Sequence, residues 1–247
     1  MSENREMKIA EIIKKTFLFV TGLILISFHS DNHRLSIRME SKRLFNGKVV
    51  IVKADLFFKY AEGFLLMHYF YPTDYLFITN SKGEVKMYFP DKNEVMSQQN
   101  QMFASDNDAL YFFLSNQVND LGLKEMGYSV IKTRFEDGIT ITDWLPPSWQ
   151  IGKISKVELA HENYLPIYTA YYNEKNKAVR KVYFTNYFIS SAAALPQRIT
   201  EIEYLPNGDS IISRKIYSDI KFDLNASSEY FEFKIPDDAK PITLQKK

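Results

Sequence analysis

The 247-residue chain has a net charge of +1 and no long run of one sign, which excludes the basic footprint of a nucleic-acid-binding domain. It has no cysteine, which excludes disulfides, thiolate metal sites, a cysteine nucleophile and a lipid-modified N-terminal cysteine. Aromatic residues make up 15% of the chain, a share that favours strands over helices, and sparse Gly and Pro leave no low-complexity linker.

Lys8, Lys14 and Lys15 precede an apolar run from Phe17 to Phe28. A charged region followed by about 7–15 apolar residues is the layout of a secretion signal. A membrane span needs about 20 residues. Residues 1–30 are therefore expected to be a signal peptide, with a retained N-terminal anchor as the alternative because no small-residue cleavage site stands out. Residues 31–247 are expected to form a single domain. That domain is expected to be exported.

Leu35–Met39 alternates and predicts a first strand, and Lys48–Phe58 a second, more buried one. The stretch from Gly63 to Pro90 predicts three strands: Phe64–Tyr71, Tyr75–Asn80 and Val85–Phe89. Pro72-Thr73-Asp74 is a turn signal. With Thr73 and Asp74 as the loop residues, Tyr71 faces Leu76, Tyr69 faces Ile78 and Met67 faces Asn80. One face then carries Leu65, Met67, Tyr69, Tyr71, Leu76 and Ile78. The other carries Leu66, His68, Phe70, Phe77 and Thr79. The first face suits a core or the wall of a greasy cavity.

Glu94–Gln98 predicts a short strand or loop. A helix is predicted from Ser105, a capping residue, to Leu121, with Gly122 as its stop. Leu110, Phe113, Leu114, Val118 and Leu121 recur at helical spacing. Hairpins follow: Val130–Arg134 with Ile139–Trp144, Ile154–His161 with Pro166–Tyr172, Val179–Phe188, then Ile199–Tyr204 with Ser210–Tyr217 across Pro206-Asn207-Gly208. A last strand is predicted at Tyr230–Lys234. About ten or eleven strands with one central helix describe a mainly β chain, and this spacing predicts an antiparallel sheet curled into an incomplete barrel. The Phe-Leu stripe of the helix can then lie over the opening as a lid.

Catalytic signatures are missing: there is no nucleophile elbow, zinc-protease helix, phosphate loop or dinucleotide fingerprint. The histidines, His29, His33, His68 and His161, lack metal-ligand spacing. Glu201 and Glu203 share a strand face, as a pair of glycosidase carboxylates would, but they alternate with Thr200, Ile202 and Tyr204 and read as a polar outer face. His161-Glu162 reads as a solvated strand end.

The segment MHYFYPTDYLFITNSKGEVKMYFP and the final Phe231-Glu-Phe233-Lys-Ile-Pro236 resemble the periplasmic lipoprotein carriers of the LolA/LolB type. Those proteins share an apolar strand ending near a proline, a second strand, a glycine turn and an aromatic strand ending in Tyr-x-Pro, here Tyr88-Phe89-Pro90. They also finish on a Phe-x-Phe-x-x-Pro segment. The resemblance spans about Arg34 to Leu244. It implies a LolA-like incomplete barrel closed by helices, with acyl chains held inside. Carried over residue by residue, it assigns the cavity wall to Leu65, Met67 and Tyr69. The family arginine that ties the lid has no counterpart, since the positions before this strand read Lys59, Tyr60, Ala61 and Glu62.

The expectation is a non-enzymatic carrier that binds acyl chains of lipoproteins or lipids and moves them toward the outer membrane. Its lipid-binding residues are Leu65, Met67, Tyr69, Tyr71, Leu76, Ile78, Leu110, Phe113 and Leu114. It needs no cofactor, metal or nucleic acid, is a monomer, and meets inner- and outer-membrane proteins transiently. Two other readings remain open. One is an enzyme or accessory factor acting on a small hydrophobic substrate in the same cleft. The other is a structural or interaction module with a filled core.

Overall fold

The computed structural model describes residues 33–100, 103–105, 109–115, 117–150, 152, 154–191 and 193–243. The expected signal at 1–30 lies outside them. Among the described residues the strands are β1 (Arg34–Phe45), β2 (Lys48–Lys59), β3 (Phe64–Tyr71), β4 (Tyr75–Asn80), β5 (Glu84–Phe89), β6 (Glu94–Gln99), β7 (Ser129–Glu136), β8 (Ile139–Leu145), β9 (Lys156–Glu162), β10 (Leu165–Tyr172), β11 (Ala178–Ile189), β12 (Ala194–Tyr204), β13 (Ser210–Phe222) and β14 (Lys240–Ile242). One helix, α1 (Ala109–Leu114), crosses between β6 and β7.

All fourteen strands form one sheet in the order β14-β6-β5-β4-β3-β2-β1-β13-β12-β11-β10-β9-β8-β7. Nearly every connection is a hairpin. The long link is the pairing of β1 with β13, which joins the N-terminal and C-terminal halves. The two edge strands, β14 and β7, do not meet, so the barrel stays incomplete, as expected for this fold class. The strand count exceeds the predicted ten or eleven. Long polar strand ends and the three-residue β14, paired in parallel with β6, carry little apolar periodicity to read.

Alternation decides which side chains enter the core. In β1, Leu35, Ile37 and Met39 are buried, and in β2 Ala54, Leu56 and Phe58. These residues define the inner face, where α1 packs through Leu110, Phe113 and Leu114. The outer face of β2–β5 buries Phe57, Leu66, Leu76 and Tyr88 under Ala226 and Phe231 from the C-terminal segment. That segment is not the predicted strand. It forms a 3-10 turn over Glu229–Glu232, held by Ser228, whose hydroxyl accepts from the Tyr230 backbone N–H.

The β3–β4 register also departs from expectation. Leu66 pairs with Ile78, Met67 with Phe77 and Tyr69 with Tyr75. The expected pairing is off by an odd number of residues, and an odd slip turns the whole of β4 over. Leu76 and Ile78 therefore sit on the outer face, packed in the cluster with Leu66 and Phe231. Phe77 and Thr79 face inward instead. The loop from Phe70 to Asp74 is longer than two residues, includes a cis Tyr71–Pro72 bond, and folds back so that Asp74 lies 3.3 Å from His68 Nε2.

The helix predicted over Ser105–Leu121 is found only over Ala109–Leu114 among the described residues. At Gly122 the backbone has φ +77°, and an added Cβ would stand 2.4 Å from the Phe112 ring. The chain turns back there against α1, and Leu121 and Leu123 lie beyond the end of the helix.

Burial pushes the phenols of Tyr171 and Tyr187 above their ordinary value of 10.0, desolvation being the leading cause at both. The Tyr187 hydroxyl donates to the Pro166 carbonyl. Above about pH 10 the unfolded chain releases these protons while the folded chain keeps them. The unfolded state then binds fewer protons, so stability falls as pH rises past that point and is flat below it. Urea midpoints are expected to drop between about pH 10 and about pH 11, and to drop less steeply in Tyr187→Phe.

Candidate functional site

The inner face is filled unevenly. Its middle is occupied by α1, where Phe113 meets Phe184 edge-on at 5.6 Å and Tyr187 at 6.2 Å. On the β3–β6 side a hollow of about 380 Å3 remains. Leu65, Met67 and Tyr69 of β3 form one wall, and Tyr75, Phe77 and Thr79 of β4 the floor. Met87 and Gln98 continue across β5 and β6, and Phe103 and Ala104 form the far rim.

That rim is held by three hydrogen bonds from the crossover. Thr79 Oγ1 donates to the Phe103 carbonyl at 2.6 Å, and Ser105 Oγ to the Gly63 carbonyl at 2.7 Å. The Phe103 N–H donates to the Asn100 carbonyl at 3.0 Å. Thr79 and Ser105 are both buried. Ser105 was expected to cap the helix, and residues 106–108, which that cap would meet, lie outside the described residues; its hydroxyl ties the crossover to the β2–β3 turn, and α1 is described from Ala109. Gly63 makes that turn possible, with φ +65° and Ser81 2.9 Å from where a Cβ would lie.

The lining is apolar and aromatic. Tyr69 and Tyr75 stack at 4.6 Å with an interplanar angle of 11°. Tyr69 turns its hydroxyl onto Met67 Sδ at 3.4 Å. Burial raises the Tyr75 phenol above its ordinary range, so it stays neutral at physiological pH. Phe103 stands edge-on over Phe77 at 6.0 Å. Among the described residues, no Asp, Glu, Lys, Arg or His lines the hollow.

Of the expected site residues, Leu65, Met67 and Tyr69 line this hollow. Leu76 and Ile78 do not, because the register puts them on the outer face. Tyr71 does not either. A register shift between Lys53 and Ala54 pairs it with Lys53, past the end of the wall, where it is half exposed. Leu110, Phe113 and Leu114 are buried in the central cluster, beside the hollow and not in its lining. The six-residue helix packs over the middle of the inner face, beside the hollow. Tyr75, Phe77, Thr79, Met87, Gln98, Phe103 and Ala104 were missed. The correct β3–β4 register would have found Phe77 and Thr79; no local signal marks Phe103 and Ala104.

Two further hollows lie along the other half of the inner face. One, of about 660 Å3, is lined by Tyr128, Tyr171, Arg180, Glu201 and Glu203 among others. Glu201 and Glu203 thus face inward, not outward as expected, since Glu203 pairs with Arg180 and Glu201 with Val182 across β11 and β12. Arg180 Nε holds Glu201 at 2.6 Å and its guanidinium lies 5.3 Å from the Tyr171 ring. The other, of about 560 Å3, includes His161, whose Nε2 is hydrogen-bonded to the Val118 carbonyl at 2.9 Å. Among the described residues there is no group of three or more His, Cys, Asp or Glu that could hold a metal ion.

No protein-family model and no curated protein matches the chain. Solved structures do. A LolA superfamily protein from Nitrosomonas europaea superposes with a TM-score of 0.52 at 13% identity, covering 81% of this chain and 92% of its own. A domain described as outer membrane lipoprotein-sorting, from Vibrio parahaemolyticus, gives 0.54 at 14% identity, with 82% and 90% covered. A DUF1329 family protein from Desulfovibrio piger gives 0.53 at 18% identity over 82% and 90%. The fold is LolA-like. At these identities the likeness concerns the path of the backbone, and the LolA-like sheet here carries its own set of inward side chains.

Ser105→Ala removes the donor to the Gly63 carbonyl and leaves that carbonyl buried without it. Denaturant unfolding of the variant is expected to show a loss of about 1–3 kcal/mol.

Proposed function

We propose that this LolA-like protein is a carrier that shelters the acyl chains of lipoproteins or lipids in the hollow between β3–β6 and the crossover. The supporting observation is the hollow itself: about 380 Å3, walled by Leu65, Met67, Tyr69, Phe77 and Met87, with no ionised side chain in the lining among the described residues. Ligand pockets span about 300–1,000 Å3, so the space suits part of one chain. Burial of apolar surface contributes about 25 cal/mol per Å2, and a methylene chain needs no polar partner. Met67 and Met87 are unbranched and can re-pack around a ligand of irregular length.

Two of the polar groups at the hollow are already engaged. Thr79 donates to the Phe103 carbonyl and Tyr69 rests on Met67. Among the described residues no acid, base or activated nucleophile faces the space, which favours carriage over catalysis. The solved LolA-like and lipoprotein-sorting structures support the same reading at the level of fold. In this reading the protein works in the periplasm as a monomer, after export directed by residues 1–30, and passes cargo between membrane partners. Among the described residues no helix is long and apolar enough to cross a membrane.

Native mass spectrometry of protein purified from its own envelope is expected to show a co-purified acylated species. Phe77→Glu places a carboxylate on the floor of the hollow and is expected to abolish that species with little change in melting temperature. Leu76→Glu, one residue away but 2% exposed under the C-terminal segment, is expected to cost roughly 3–5 kcal/mol of stability instead. Undiminished acyl mass in Phe77→Glu would overturn the assignment.

A further inference from the structure

The β1–β2 hairpin runs past the end of its neighbour β3, while on its other side β13 accompanies β1 as far as Leu44. β2 pairs with β3 only from Lys53, opposite Tyr71, onward. Lys48–Val52 therefore have no partner on that side among the described residues. At about 3.4 Å per residue the tip reaches about 17 Å past the end of β3. Every residue from Lys42 to Val50 is exposed.

The tip is apolar on both faces. Leu44 opposes Val49 on one face, and Phe45 and Val50 stand on the other. Their exposures run from 40% to 58%. A strand end built to bury one face would not place large apolar groups on both. The same stretch is cationic: Lys42, Arg43, Lys48 and Lys53 fall between Glu40 and Asp55 with no carboxylate among them. Glu40 holds Lys42 and Lys53, at 2.9 and 3.4 Å, while Arg43 and Lys48 have no carboxylate partner among the described residues. On the other side β1 pairs Lys42 with Arg214 of β13, which adds a further positive charge.

We infer that the β1–β2 tip is a membrane-docking wedge for an anionic lipid surface. Leu44, Phe45, Val49 and Val50 enter the interface while the basic collar meets acidic headgroups, the combination that binds segments to anionic bilayers. An unpaired edge such as Val49–Val52 can also template a second copy. Charge argues against that occupant here, because pairing two tips would bring two sets of these cations together with no intervening carboxylate. The inference does not rest on the cargo reading, but it has a consequence for it. Ala54 lies opposite Tyr69, so the hairpin projects from the end of β3 where Tyr69 stacks on Tyr75. Docking would turn that end of the hollow toward the lipid.

The cysteine-free chain allows a local readout. Full-length Val49→Cys and Lys82→Cys are each labelled with an environment-sensitive fluorophore and mixed with phosphatidylcholine vesicles, with or without phosphatidylglycerol. A severalfold rise in emission is expected at position 49 only, on phosphatidylglycerol vesicles only. High salt should reduce it, and Arg43→Gln combined with Lys48→Gln should abolish it. Because the probe reports its own depth, vesicle binding through residues 1–30 alone would leave it as wet as position 82 and would overturn the inference. So would an equal rise on neutral vesicles, or a rise without vesicles that grows with protein concentration, which would assign the tip to a second copy.

Discussion

The inner face of the N-terminal half depends on one pairing, Met67 opposite Phe77. Side chains alternate across a strand, so this single register assigns every residue of β3 and β4 to one face. It sends Leu66, Leu76 and Ile78 outward to a second core under the C-terminal segment. It leaves Leu65, Met67, Tyr69, Phe77 and Thr79 on the side that the crossover covers only in part. The hollow and the outer core are thus two results of the same hydrogen-bond ladder. A substitution on β4 is felt in one or the other according to the parity of its number.

The sequence made the fold class legible because it is written in redundant signals. Alternation, turn residues and aromatic content recur in every hairpin, and a mistake in one leaves the sheet intact. The register of β3 on β4 has no such redundancy. Pro72-Thr73-Asp74 marks a turn, but the loop takes in Phe70 and Tyr71 too, and His68 with Asp74 folds it back. Nor could the local pattern reveal that the outer face has an apolar cover, since Ala226 and Phe231 lie far along the chain from Leu66. Half of the expected wall was found because Leu65, Met67 and Tyr69 keep their face under either register. The rest of the lining was hidden by the long-range bonds from Thr79 and Ser105 that place Phe103 and Ala104.

An open sheet whose inner face is covered by a short segment cannot be uniformly filled. Close packing needs partners on both sides of every layer. The segment between β6 and β7 supplies one helix of six residues and a few turns for the inner faces of many strands. It seals the middle with Leu110, Phe113 and Leu114 and reaches the far half with Leu123 and Tyr128, which pack on Trp144 and Val157. Space is left on either side. Two of the regions left open differ in chemistry. The β3–β6 hollow has no ionised lining among the described residues, while the region at β10–β12 carries the Arg180–Glu201 pair. An acyl chain would favour the first, because desolvating an ion pair to admit a methylene chain carries a cost that a phenyl or thioether wall does not.

A cavity of this kind selects by size more than by identity. The hydrophobic effect has no direction, and a wall of Leu, Met, Phe and stacked Tyr offers little to recognise a particular headgroup. Each methylene brought out of water adds about 0.8 kcal/mol, about a fourfold gain in affinity at room temperature. That gain continues only while the chain finds space, and a hollow of about 380 Å3 closes the series early. Methylenes beyond its end stay in water or under Phe103, which is 46% exposed at the rim and can shift over them. A site that saturates in this way holds cargo moderately and releases it to a deeper apolar phase. Those are the energetics a transfer protein needs, and they follow from leaving one side of the sheet unfilled.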